Sequence, residues 1–410
     1  MSKENAKTPG RGSFISGNAK VVRNINRAVI LNLIREKQPL ARIEIAKTSG
    51  LNKSTVSSIV AGLLEEALIY QKIEPNPNIG RNPINLYLKL GAHFVGAINI
   101  DAPTTRIAIA DLDGSPRESC ELETESKDAA NFVRRCVQQL FQLQKRLQIK
   151  HLKGIGVSIA GIVDPVRASV VFAPRLGWED FAIGKLIEEL CPKEGPITVD
   201  NDARASALAE LWHGNHDLNL SDFVFLYVGP GIGTGIVVEK ELVYGNSYAA
   251  GEFGHTTLFE GGELCSCGNY GCWEAYASDR ATVKRYLAQK HHDPSSSPRI
   301  MLQEVIEQAT KHHEAVARDT LRQTGHYLGM GIADIIKAVD PEAIIIGGHI
   351  TGAWEIIYPE IMQTLSMRAF FGKKRDIRIL PTSLGAARPR LLGAATLAIK
   401  KKFSDFKIIR

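Results

Sequence analysis

The 410-residue sequence has no apolar run long enough to cross a bilayer. Nor does it open on a charged, apolar-cored leader, since residues 1–18 are polar and rich in Gly and Ser. No membrane contact is expected, and the expected location is the cytoplasm. Cysteine is scarce, six in all. Without an export signal these do not read as a disulfide framework. Cys120, Cys136 and Cys191 are scattered and expected to be buried, whereas Cys265, Cys267 and Cys272 are clustered, a pattern that favours a metal. Acid is scarce in one stretch. Residues 1–89 contain no Asp and hold 14 Lys and Arg against 6 Glu, a net charge of +8. The rest holds 36 Lys and Arg against 38 Asp and Glu, a net −2. A basic module on a near-neutral body suits a polyanionic partner, and a solvated basic surface is the alternative reading. Hydrophobic residues make up 44% and charged residues 23%, the balance of an ordinary globular protein with room for two or three domains.

Residues 1–20 read as a flexible tail. From Asn24 to Lys37 the apolar positions Ile25, Val29 and Leu33, with Ile30 and Ile34 beside them, recur at helical spacing. Gln38-Pro39 stops that helix, because proline has no N–H to give its interior. A short helix over Arg42 to Ser49 follows, with Ile43, Ile45 and Ala46 available to pack, and Gly50 supplies a turn. Asn52 is placed to cap a third helix, Lys53 to Glu66, with an apolar stripe of Val56, Ile59, Val60, Leu63 and Leu64. The start of that helix carries Lys53, Ser54, Thr55, Ser57 and Ser58, short donors and acceptors of the kind that enter a DNA major groove. Leu68-Ile69-Tyr70 and Tyr87 read as two wing strands around Gly80-Arg81-Asn82-Pro83, where an extended Arg81 would suit a narrow minor groove. A helical hairpin used for protein contacts is the competing reading.

Beyond residue 89, strand-like and helix-like segments alternate. Phe94–Ile100, Arg106–Asp111, Gly154–Ile159, Phe223–Val228 and Ala343–Ile346 read as strands, Asn131–Leu147 and Ala203–Trp212 as helices. This is an α/β body of two lobes, drawn as 89–208 plus 386–400 and 209–385, behind a winged helix-turn-helix domain at 21–88. Four features carry chemistry. His255 with Cys265, Cys267 and Cys272 makes a four-ligand zinc set with no open position, hence structural; three free thiols are the alternative. Asp200-Asn201-Asp202 opens a helix, where such residues bind hydroxyls or simply cap. Glu252 and Glu274 would be drawn by the zinc to one pocket. Gly229-Pro-Gly231-Ile-Gly233-Thr234-Gly235 follows a strand, as a phosphate cradle or a hairpin turn.

The Gly-Glu-x-Gly-His run ending at His255 and the Cys-x-Cys-Gly-x-x-Gly-Cys run ending at Cys272, with Leu40-Ala-Arg42 and Gly80-Arg81-x-Pro83, resemble the ROK family of repressors, open reading frames and sugar kinases over about residues 20–398. The resemblance implies an actin-like, hexokinase-like pair of lobes with a sugar in the cleft, contacted by Gly161, Asn201, Asp202, Glu252, His255 and Glu274. It places Arg42, Lys53, Ser54, Thr55, Ser57, Ser58 and Arg81 on operator DNA, and implies a homodimer or homotetramer. In kinase members the residue matching Asp202 is the general base. This chain departs from those members at Asp101-Ala102-Pro103-Thr104-Thr105, where they have Asp-Gly-Gly-Thr. Ala102 adds a Cβ and Pro103 removes an N–H, which a phosphate cradle should not survive. Arg204 is a second departure, where kinases have Asn. The expectation is a sugar-responsive repressor without enzymatic activity, with an ATP-dependent sugar kinase carrying a DNA-binding arm as the alternative.

Overall fold

The computed structural model describes residues 19–74, 84–125, 127–214, 220–290, 300–368, 377–385 and 389–403. The chain divides into two compact units, Met1–Ala92 with Lys402–Arg410, and His93–Lys401. No described helix is long and apolar enough to cross a membrane.

In the smaller unit, α1 (Ala19–Lys37) is followed by β1 (Leu40–Ala41), α2 (Arg42–Ser49), α3 (Lys53–Glu65), β2 (Ile69–Ile73) and β3 (Ile84–Leu88). The strands form one antiparallel sheet in the order β1-β3-β2. The Glu44 carboxylate accepts from the Ala41 amide at 2.7 Å and fastens the start of α2. Gly50 ends it at φ +70°, a left-handed conformation that glycine adopts without strain. Asn52 Oδ1 accepts from Thr55 N at 2.7 Å and caps α3. Ile45, Val56, Ile59, Val60 and Leu63 are buried, as are Ile30, Leu31 and Ile34 of α1, which packs on both α2 and α3. Two expectations for α1 and α2 need correcting. Ile25 and Val29 are 40% and 39% exposed, and Ile43 is 64% exposed. At about 100° per residue, Ile25 and Val29 lie roughly 140° around the helix from Ile30 and Ile34, so they face away from the side of α1 that this small unit buries.

The larger unit is built twice on one plan. In the first lobe, β4 (Phe94–Ile100), β5 (Thr104–Asp111) and β6 (Pro116–Glu123) form an antiparallel meander. After α4 (Ala129–Arg146), β7 (Ile155–Ile159) lies parallel to β4. The strands β8 (Ile162–Asp164), β9 (Ser169–Ala173) and β10 (Trp178–Phe181) form a small side sheet. After α5 (Ile183–Leu190), β11 (Ile197–Asn201) joins parallel to β7. In the second lobe, after α6 (Asp202–His213), β12 (Phe223–Val228), β13 (Ile232–Val238) and β14 (Glu241–Leu242) form the antiparallel part. The helices α7 (Glu274–Ala277), α8 (Asp279–Gln289), α9 (Leu302–Thr310) and α10 (Ala315–Val339) lead to β15 (Ala343–Gly347), parallel to β12. Then α11 (Trp354–Arg368) leads to β16 (Arg378–Pro381), and α12 (Pro389–Phe403) follows. The strand orders are β6-β5-β4-β7-β11 and β14-β13-β12-β15-β16, the same order in both lobes.

Strand alternation sorts the second core. Val224, Leu226 and Val228 face one way, into a cluster with Leu328, Ile332 and Ile361 of α10 and α11. Phe223, Phe225 and Tyr227 face the other, with Ala207 and Leu208 of α6. The lobe boundary drawn after residue 208 thus falls inside α6, a helix that packs on the second sheet. Its other side meets α12, whose Gly393 passes so close to Ala205 that a Cβ there would lie 2.5 Å from backbone. The two helices run between the sheets and bring Asp202 and Arg390, their first-turn residues, to the cleft.

Candidate functional site

On the smaller unit, Lys53, Ser54, Ser57 and Ser58 are exposed at the start of α3, and Thr55 is half-buried. Ser54 Oγ also donates to Asn52 Oδ1, 2.8 Å away, so it shares the cap. Arg42 Nη2 reaches Gln71 Oε1 of β2 at 3.3 Å, which ties α2 to the sheet. Arg81 and the rest of the Gly80–Pro83 loop lie outside the described residues.

In the larger unit, His255, Cys265, Cys267 and Cys272 each offer one ligand atom, and these atoms lie within 4.8 Å of one another. His255 Nδ1 is 3.6 Å from Cys265 Sγ, and Cys267 Sγ is 3.7 Å from Cys272 Sγ. Tetrahedral bonds of roughly 2.3 Å to sulfur set ligand sulfurs about 3.8 Å apart, so the donor set fits a tetrahedral ion. The chain folds tightly around it: Cys265 N donates to Asn269 O and Gly268 N to Cys265 O. With Nδ1 turned to the sulfurs, the imidazole presents Nε2 to the other side, 4.0 Å from Glu252 Oε2.

That other side is a cavity of ≈ 360 Å³ lined by all six residues expected to contact sugar, Gly161, Asn201, Asp202, Glu252, His255 and Glu274. They come from β11–α6, the loop after β7 and the segment that carries the Cys3His set. Gly161 stands at φ +150°, and a Cβ there would lie 2.7 Å from Phe172 O, so only glycine lets this loop pass. Asn201 caps its helix, one of the two roles its sequence context allows. Its Oδ1 caps α6 through Ala203 N and Arg204 N, and its Nδ2 donates to Gly161 O at 2.9 Å. Glu274 is fixed on both oxygens. Oε1 accepts from Ser266 Oγ at 2.9 Å, with Cys265 Sγ 3.2 Å away, and Oε2 accepts from Ile232 N at 3.2 Å. It therefore joins the metal loop to the glycine-rich segment. That segment is a hairpin turn, with Val228 paired to Ile232 and Gly229 N donating to Gly231 O.

Asp202 is buried, and burial pushes its carboxyl above the ordinary range while Arg390 pulls it back. Arg390 Nη1 lies 3.5 Å from Asp202 Oδ2 and donates to Asp101 Oδ2. Arg175 Nη2 donates to Ala102 O at 2.8 Å and stands 3.3 Å from Asp101 Oδ1. Neither arginine was evident from the sequence, since nothing around them is periodic or motif-like and Arg390 is 188 residues from Asp202. The Asp101–Thr105 turn is closed in its own way. Ala102 N donates to Asp101 Oδ1 at 2.8 Å, and Pro103 has no N–H. Two successive residues thus have no amide to offer a phosphate. Arg204, the other departure, points away from the cavity. It is 1% exposed and donates to Asp200 Oδ1, Val163 O and Tyr248 O.

Two lobes with one strand order, a polar cleft between them and a Cys3His set beside it define a sugar-kinase-like body, and the same chain carries a small unit of three helices and a three-stranded sheet. The ROK family model matches residues 95–401, and the chain belongs to the ROK family. It is 27% identical over 406 residues to the xylose repressor of Caldicellulosiruptor bescii, covering 95% of this chain and 98% of that one. Among solved structures it is similar to a ROK family transcriptional regulator described as a homologue of E. coli MLC protein. That match has a TM-score of 0.79 and 25% identity, and covers 93% of this chain and 97% of that one. It is also similar to a ROK family glucokinase from Streptomyces griseus in complex with glucose and AMPPNP. There the TM-score is 0.66 and the identity 27%, with 74% of this chain and 98% of that one covered.

Proposed function

We propose that the chain is a sugar-responsive transcriptional repressor and not a kinase. One observation carries the reading. The cavity holds a full polar set for a polyol, while the adjoining turn at Ala102 and Pro103 offers no amide to a phosphate. Gly161, Asn201, Asp202, Glu252, His255 and Glu274 would contact the sugar hydroxyls. The metal is zinc, held by His255, Cys265, Cys267 and Cys272. Four protein ligands leave it no open position, so its contribution is to hold the loop and to orient His255. Lys53, Ser54, Thr55, Ser57 and Ser58 of α3, with Arg42 and Arg81, would meet operator DNA. A homodimer or homotetramer would present such helices in pairs to a palindromic site in the cytoplasm. Sugar acts by favouring one arrangement of the lobes, and it alters DNA affinity only as far as its own affinity differs between arrangements.

The test uses full-length protein and duplex DNA selected by it from a random pool. Binding is measured by anisotropy with D-xylose, D-glucose or N-acetyl-D-glucosamine added. At least one sugar is expected to weaken DNA binding. If none changes it, the sugar-responsive reading fails. ATP-dependent phosphorylation of any of them, lost in Asp202→Asn, would establish the kinase alternative.

A further inference from the structure

Arg390 stands in the first turn of α12 and is 7% exposed. Its guanidinium carbon lies 4.4 Å over the Tyr227 ring, and its Nη1 serves both Asp101 and Asp202. Arg175, Tyr227 and Arg390 line the sugar cavity and also a neighbouring cavity of ≈ 780 Å³, so they form the partition between the two. Asp101 is satisfied on both oxygens, by Ala102 N and Arg175 on one and Arg390 on the other. Asp202 differs. Among the described residues, Arg390 is the one hydrogen-bond donor to its carboxylate, and lone pairs remain for a molecule in the cavity that Asp202 lines. A guanidinium does not lose its proton, so Arg390 stays a cation beside both Asp101 and Asp202.

We propose that Arg390 is the positioning residue of this pocket: a resident cation that keeps the Asp202 carboxylate charged and aimed as the acceptor for a sugar hydroxyl. The proposal deepens the sugar reading above and rests on it. Tyr227 fixes the guanidinium from one face and Asp101 from its edge, so the cation is held whether or not a ligand is present. The same contact makes Asp202 a poor proton acceptor, because a carboxylate paired with a guanidinium gives up its cation in order to take a proton. The pocket can thus hold a hydroxyl at Asp202 without activating it.

The experiment is isothermal titration of full-length wild type, Arg390→Met, Arg390→Gln, Arg390→Lys, Asp202→Asn and the double variant R390M/D202N. Each is titrated with the sugar that wild type binds best among D-xylose, D-glucose and N-acetyl-D-glucosamine. R390M is expected to bind about 10- to 100-fold more weakly, and R390K to recover most of that loss. In the D202N background the R390M effect is expected to shrink to under about threefold, because its target charge is gone. If R390M does not fold, R390Q takes its place, with the same loss expected since it keeps polarity and drops charge. Unchanged binding in the neutral variants, or an equal loss with and without the Asp202 charge, overturns the proposal while the sugar reading stands. Failure of wild type to bind any of the three sugars defeats the sugar reading itself, and the proposal with it.

Discussion

At position 204 a guanidinium is sealed in the body, donating to Asp200 and to two backbone carbonyls, with the Tyr244 ring 5.2 Å away. Arg204→Met should therefore destabilise by about 3–5 kcal/mol, because it leaves Asp200 charged, buried and unpaired. Denaturant unfolding reads this directly, and a loss below about 1 kcal/mol would contradict it. Asp279 makes a pH-dependent case. Burial pushes its carboxyl up to about 7, and its Oδ1 is shut from solvent with no hydrogen-bond partner among the described residues. An acid whose folded pKa is raised binds protons more tightly when folded. Its contribution to stability is whole below the unfolded value of about 4 and is lost as pH rises through about 7. Asp279→Asn should thus raise the melting temperature relative to wild type more at pH 8 than at pH 5. Equal differences at the two pH values would refute the buried-carboxyl account. At this scale the sequence was a partial guide. Asn52 and Asn201 are caps, as side chains of their kind before a helix should be. Arg204 was noticed only as a departure, since its partners Val163 and Tyr248 are some forty residues away on either side.

Among the elements, α2 spans the residues its pattern indicates, and α3 ends one residue earlier than expected. Both have local boundary signals, Gly50 ending one and Asn52 starting the other. The exposed start of α3 predicts a measurable property. If Lys53 meets a phosphate, Lys53→Ala should weaken DNA binding evenly across sequences and lower the salt-dependence slope by about 1. An unchanged slope would remove Lys53 from the interface. The metal loop makes a second. Cys267→Ser is expected to lower bound zinc and sugar affinity together, since His255 would serve the ion with Nδ1, which lies 3.6 Å from Cys265 Sγ, while its ring also lines the cavity. Metal analysis that finds full zinc in the variant would show that the ligand set is wrong. Elements without such signals were not legible. The side sheet β8–β10 carries no regular alternation, and the two-residue β14 exists only through its pairing with β13.

Across the whole molecule, the repeated strand order of the two lobes is a property of long-range pairing. Alternating strand and helix patterns determined that the body is α/β, and the charge division separated a basic module from it. The cysteine spacing with His255 pointed to a four-ligand cluster, and the fold brings those four ligand atoms within 4.8 Å of one another. What only the tertiary structure decided is the centre of the cleft. Asp101, Arg175, Asp202 and Arg390 come from the end of β4, the loop after β9, the start of α6 and the start of α12. Local pattern reports which face of an element is apolar and where it begins and ends. It carries no information on which two helix starts will meet, and a guanidinium placed between two carboxylates is that kind of meeting.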